Sequence, residues 1–120
     1  MYTALLIEDD PMQAKIQSHM LTAAGFEVTH CENGCKGIGR ALKSRFDVIV
    51  TDIDLPDIQG DSIAKILSSY YNGTVPIYML SANQEHFKVG IDDHGIACRM
   101  QKPFNKTMAA MIKTQVSKRI

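Results

Sequence analysis

The stretch VIVTDIDLPDIQG, residues 48–60, ends an apolar run in carboxylates. Four residues, mostly β-branched, lead straight into Asp52; a second acid follows at Asp54, and Pro56 and Gly60 then turn the chain. Apolar runs of this length, bounded by turn residues, are what strands covered on both faces look like. Acids at the end of such a strand suit a metal site, a nucleophile or a solvated turn, and the rest of the chain has to decide among them.

Working outward, the pattern repeats. With DVIVT (47–51) as the third strand, TALLI (3–7), EVTHC (27–31), PIYML (76–80) and ACRMQ (97–101) read as the other four. Helical patterns lie between them. Residues 11–24 follow Asp10 as N-cap, carry Pro11 in the first turn, place Ile16, Met20 and Ala24 on one face and stop at Gly25. Residues 34–45 follow Asn33 as cap, with Gly37 and Gly39 weakening the helix. Residues 60–72 carry Ile63, Ile66 and Leu67 and close at YNG, and further helices are expected at 84–94 and 104–118. Strict alternation predicts an α/β fold, a doubly wound five-stranded parallel sheet with helices on both faces, because parallel neighbours need right-handed crossovers.

At 120 residues the chain has the size of one domain, 1–120, with one sizeable core. Its 13 basic and 13 acidic residues balance, so nothing global points to nucleic acid or a membrane surface. No apolar run is long enough to span a bilayer, and MYTALLIEDD turns acidic where a signal peptide would stay apolar, so a cytoplasmic location is expected. Cys31, Cys35 and Cys98 fit reduced thiols; Cys31 and Cys35 with His30 lack a fourth ligand at zinc-site spacing. His19, His30 and His86 read as surface or satisfied polar residues, and Asp57 and Asp61 as solvated acids of a turn and a first helical turn.

Doubly wound sheets bind ligands outside the carboxyl ends of their strands. After the first strand come Glu8, Asp9 and Asp10; after the third, Asp52 and Asp54; after the fourth, Ser81; after the fifth, Lys102 and Pro103. Carboxylates so gathered repel by roughly 4 kcal/mol per pair at 4 Å and an effective dielectric of 20. Lys102 offsets part of this, and a hard oxygen set with few carboxylates suits Mg²⁺, which shares its remaining positions with water and phosphate oxygens. The constellation predicts a divalent ion with a phosphoryl group, and an Asp can itself be the nucleophile that accepts it.

Taken in order, LLIEDD, VIVTDIDLPDIQG, YMLSA and KPF resemble the receiver domain of two-component response regulators over the whole chain. The resemblance implies the flavodoxin-like, receiver-type fold and a phosphoacceptor with self-catalysed transfer and autodephosphorylation, not a dedicated enzyme. By this match Asp52 takes a phosphoryl group from a histidine kinase or histidine phosphotransfer protein. Mg²⁺ is held by Asp9, by Glu8 mainly through water, by Asp52 and by the backbone carbonyl of Asp54. Ser81 hydrogen-bonds a phosphoryl oxygen, and Lys102 pairs with the aspartate and then with the phosphoryl group. The output implied is a contact with a downstream protein target, with no direct nucleic-acid contact and no membrane insertion.

Two positions depart from the family pattern. Where an aromatic switch residue is common, three before the lysine, this chain has Arg99, whose guanidinium points to an ion-pair switch acting with Ser81. Asp54, with Asn83, is placed to tune the lifetime of the acyl phosphate. Two alternatives remain: a haloacid dehalogenase-like phosphatase, whose Asp-x-Asp motif Asp52 and Asp54 mimic, and a receiver-like docking module that is never phosphorylated. The phosphatase lacks its later acidic pair, since residues 103–120 contain no acid.

Overall fold

The computed structural model describes residues 1–82 and 96–119; the helix expected at 84–94, with Asn83 before it, lies outside the described residues. Five strands, β1 (Tyr2–Ile7), β2 (Phe26–Cys31), β3 (Val48–Asp52), β4 (Ile77–Ser81) and β5 (Ile96–Gln101), form one parallel sheet in the order β2-β1-β3-β4-β5. Order reverses beside β1, so the crevice at the carboxyl ends of β1 and β3 is where a doubly wound sheet holds its ligand.

Alternation within the strands sorts the core into two layers. Leu5, Ile7, Ile49, Ile77 and Met79 face one side, where α2 (Gly34–Lys43) and α3 (Gly60–Tyr71) cover them with Ala41, Ile63 and Leu67. Ala4, Leu6, Val48, Val50, Tyr78 and Leu80 face the other, under α1 (Pro11–Ala23) and α4 (Lys106–Arg119), which add Leu21, Ala109, Ile112 and Val116. Each fully buried Leu or Ile contributes about 1.5–3 kcal/mol relative to exposure, so the central strands hold the frame on which the site is built.

Local signals act as expected at most helix ends. Asp10 accepts from Met12 N, Asn33 accepts from Lys36 N, and Asn72 adopts the left-handed conformation at φ 53° before Gly73. Gly37 does more than weaken α2. A Cβ there would lie 2.4 Å from Ile7 Cδ1, so the glycine lets the helix close onto β1.

Three expectations need correction. The third and fourth strands run one residue later than 47–51 and 76–80. Asp47 is engaged ahead of β3, its carboxylate accepting from Thr3 N at 2.7 Å, and Pro76 has no N–H for a ladder. Asp52 and Ser81 thereby become the last residues of their strands. The inward face of α1 is Ala14, Gln17 and Leu21, whereas Ile16 is 47% exposed.

Candidate functional site

At the carboxyl edge of the sheet, Asp52 ends β3 and is 5% exposed, and Glu8, just beyond β1, is 1% exposed. Glu8, Asp9 and Asp52 each present a carboxylate oxygen, all within 4.8 Å of one another, and only Asp9 is exposed. Among the described residues this is the one group of acids, cysteines and histidines close enough to hold a metal ion, and it excludes the Cys31–Cys35–His30 corner. Hard oxygen donors with one water-facing member fit a small divalent ion such as Mg²⁺.

Lys102 lies between the two buried acids. Its Nζ is 3.2 Å from Asp52 Oδ2 and donates to Glu8 Oε1 at 3.1 Å. Burial on its own would pull the ammonium's pKa down, but attraction from Asp52 and then Glu8 outweighs it and raises the pKa above the ordinary value. Lys102 is held in register because its N–H donates to the Ser81 carbonyl at 2.9 Å, which fixes the turn after β5 to the end of β4. Ser81, 1% exposed, closes the neighbouring strand.

The loop after β3 is tied down at several points. Asp54 N–H donates to Asp52 Oδ1 at 3.4 Å, and Gly60 N–H donates to the Ile53 carbonyl at 2.8 Å. A Cβ on Gly60 would meet Ile53 Cα at 2.7 Å and the Asp52 carbonyl at 2.8 Å, so the start of α3 can approach the end of β3 only as glycine. Asp57 is not merely solvated: it accepts from Gly34 N at 2.9 Å and Cys35 N at 2.8 Å, capping α2 from across the loop. Hydrogen bonds from Cys35 and then Gly34 lower its pKa. Asp61, likewise expected in solvent, pairs with Arg99 at 2.5 Å, and the Arg99 side chain is only 11% exposed.

Glu8 is the most heavily engaged member. Its carbonyl meets His30 Nε2 at 2.7 Å, its Oε2 accepts from Asp10 N at 3.3 Å, and its Oε1 accepts from Gln17 Nε2 at 3.1 Å as well as from Lys102. Gln17 lies on α1, beyond the strand ends that mark the other residues of the cluster. It is 3% exposed, and its Oε1 has no hydrogen-bond partner among the described residues, which costs about 1–3 kcal/mol for a buried amide oxygen. The signal was available: Ala14, Gln17 and Leu21 recur at helical spacing, with a polar residue in an otherwise apolar row.

A profile of the Response regulator receiver domain matches residues 4–113. The chain belongs to the response regulator receiver family. It is 36% identical over 106 residues to the probable transcriptional regulatory protein SilR of Salmonella typhimurium, covering 83% of this chain and 44% of that protein. The receiver thus spans less than half the length of that curated relative. Its fold superposes with TM-score 0.89 on a response regulator receiver domain protein from Clostridium thermocellum at 16% identity, covering 99% of this chain and 96% of that one. It superposes with TM-score 0.85 at 27% identity on the receiver domain of sensor histidine kinase PA1611 from Pseudomonas aeruginosa PAO1, covering 97% and 98% of the two chains. That structure has a magnesium ion coordinated in its active site cleft.

The family match establishes a receiver of two-component signalling and leaves the phosphatase reading without support. No helix among the described residues is long and apolar enough to cross a membrane. In the receiver the expected residues Glu8, Asp9, Asp52, Ser81 and Lys102 all come to one edge, as the strand-end reading required.

Proposed function

We propose that this receiver unit, taken over residues 1–120, accepts a phosphoryl group on an Asp52 carboxylate oxygen from the phosphohistidine of a histidine kinase or phosphotransfer protein. The observation that carries this is the bridge Asp52–Lys102–Glu8, with distances of 3.2 and 3.1 Å, beside a carboxylate cluster that nothing but a cation would complete. In the transfer the P–N bond to imidazole breaks, a P–O bond to Asp52 forms, and the imidazole nitrogen keeps the electron pair. The Lys102 ammonium, 3.2 Å from Asp52 Oδ2, offsets negative charge at the attacking carboxylate. Lys102 then turns from the carboxylate to the phosphoryl oxygens, and the Ser81 hydroxyl donates a hydrogen bond to one of them.

Asp9, Asp52, Glu8 and the Asp54 backbone carbonyl would hold Mg²⁺, as the coordinated ion of the PA1611 receiver supports. Bound there, the ion supplies neutralisation of charge on the phosphoryl oxygens. Exposed Asp54 stands where it can influence the water that hydrolyses the acyl phosphate. A cavity of about 340 Å³, lined by Ile16, Gln17, Ala82, Lys102, Pro103 and Phe104 among others, opens beside the site, and Met12 is 72% exposed on the same helix. This apolar rim gives a phosphohistidine-bearing partner a surface to dock on. The phosphorylated receiver works in the cytoplasm through contact with a downstream protein, without itself binding nucleic acid.

Intact mass after incubation with acetyl phosphate tests the reading. One phosphoryl adduct is expected with Mg²⁺ and none with a chelator. No adduct on folded protein would favour the unphosphorylated docking module.

Arg99 replaces the usual aromatic ring, and its ion pair with Asp61 is the proposed switch. Phosphorylation draws Ser81 toward Asp52 and alters the neighbouring β5 edge, so the pair loosens or tightens with the state of the site. Nitrogen and carboxyl NMR signals of Arg99 and Asp61 are expected to shift on adding a phosphoryl mimic with Mg²⁺. Unchanged signals would remove Arg99 from the switch.

A further inference from the structure

Gln17 occupies an inward position of α1 between Ala14 and Leu21, where leucine would fill similar volume without leaving an amide oxygen unpaired. Its amide nitrogen is instead spent on Glu8 Oε1 at 3.1 Å. That orientation is dictated by chemistry, because an ionised carboxylate only accepts and the amide nitrogen is the donor.

We propose that Gln17 is a positioning residue of the phosphoacceptor site, fixing the Glu8 carboxylate and keeping it satisfied when Lys102 leaves it for the phosphoryl group. The proposal rests on the phosphoacceptor reading above. Glu8 has one more torsion than an aspartate would, so its oxygens need an external anchor to stay at the edge of the cluster. Lys102 cannot be that anchor throughout. Its ammonium is shared with Asp52, and phosphorylation there replaces the single carboxylate charge with about 1.5 to 2 negative charges on the phosphoryl oxygens, which draw it away. What Glu8 then retains, at 1% exposure, is the Gln17 amide and the Asp10 N–H. A neutral donor is the suitable choice, since it orients the carboxylate without cancelling the charge that attracts a cation.

The contact and its consequence are separately measurable. In metal-free protein, the Gln17 side-chain amide protons should resonate apart from free glutamine and exchange slowly, and Glu8→Asp, too short to reach, should abolish this. In titration calorimetry, Gln17→Leu should weaken Mg²⁺ binding by about 5–10-fold while its melting temperature without Mg²⁺ equals or exceeds that of wild type. In the Glu8→Asp background the same substitution should change Mg²⁺ affinity less than about twofold, because contacting residues couple and separated ones do not. Equal weakening in both backgrounds, unchanged affinity, or a loss of affinity that only follows a loss of stability would each overturn the positioning role. Wild-type protein that binds no Mg²⁺ would instead overturn the phosphoacceptor reading, and is recognised before any variant is made.

Discussion

Asp52→Asn is expected to take up no phosphoryl group from acetyl phosphate at any Mg²⁺ concentration, and to melt a few degrees above wild type when Mg²⁺ is absent. The first effect is chemical: an amide offers no anionic oxygen to attack phosphorus. The second follows from crowding. With carboxylate oxygens of Glu8, Asp9 and Asp52 within 4.8 Å, each pair repels by at least about 3.5 kcal/mol at an effective dielectric of 20. Water at exposed Asp9 and the ammonium of Lys102 remove most of this, so about 1 kcal/mol of relief is a reasonable scale for neutralising Asp52, or roughly 3–6 °C for a chain of this size. Mg²⁺ should raise the wild-type melting temperature and raise that of Asp52→Asn less, because the ion offsets a repulsion the variant no longer has. Intact mass and calorimetric melts with and without Mg²⁺ check both effects. An adduct that survives in Asp52→Asn would place the acceptor on Asp9 or Asp54.

The frame and the site were legible for a common reason. Apolar runs that end in polar residues mark both the strands and the edge where their contents meet, so Glu8, Asp9, Asp52, Ser81 and Lys102 could be read together before any coordinate. Contacts between distant residues left no such mark. Asp57 reaches back 23 residues to Gly34, and Arg99 reaches 38 residues to Asp61; charged side chains in a first turn or loop look the same whether they meet solvent or a partner. On α1 the expected face holds in part: Met20 and Ala24 are half-buried against the core, but Ile16 is exposed and Ala14 and Leu21 lie fully inward. Apolar residues lie on two sides of the helix, and periodicity alone favours the larger side chains. The buried row contains Gln17, which makes sense only once Glu8 is seen beside it. The one-residue shift of β3 and β4 was local chemistry, in the Asp47–Thr3 pairing and the missing N–H of Pro76, that an apolar run does not register.

Lys102→Met is expected to be the most destabilising change at the site. Methionine fits the aliphatic path of the lysine and removes only the ammonium, so packing is largely kept and electrostatics are tested. Glu8 and Asp52, at 1% and 5% exposure, would then face one another without a cation. Removing one partner from a buried ion pair costs about 3–5 kcal/mol, and the access of water to Asp9 favours the lower end. Near neutral pH without Mg²⁺, a fall of roughly 10–15 °C in melting temperature follows. Mg²⁺ should restore part of it, and the Mg²⁺-induced rise should be larger in the variant than in wild type, because the ion is then the sole compensating charge. The pH dependence carries a definite sign. Burial lowers the Lys102 pKa and the attraction of Asp52 and Glu8 raises it more, so the folded value lies above the ordinary 10.5. A raised pKa means that the ammonium's contribution is complete below the unfolded value and is lost as pH climbs through the folded one. The gap between wild type and Lys102→Met should therefore be constant through neutral and mildly alkaline pH and close above about pH 10.5, as the wild-type ammonium deprotonates. If the two melt within about 2 °C at neutral pH, Lys102 is a solvated charge. The repulsion within the cluster must then be relieved by water alone.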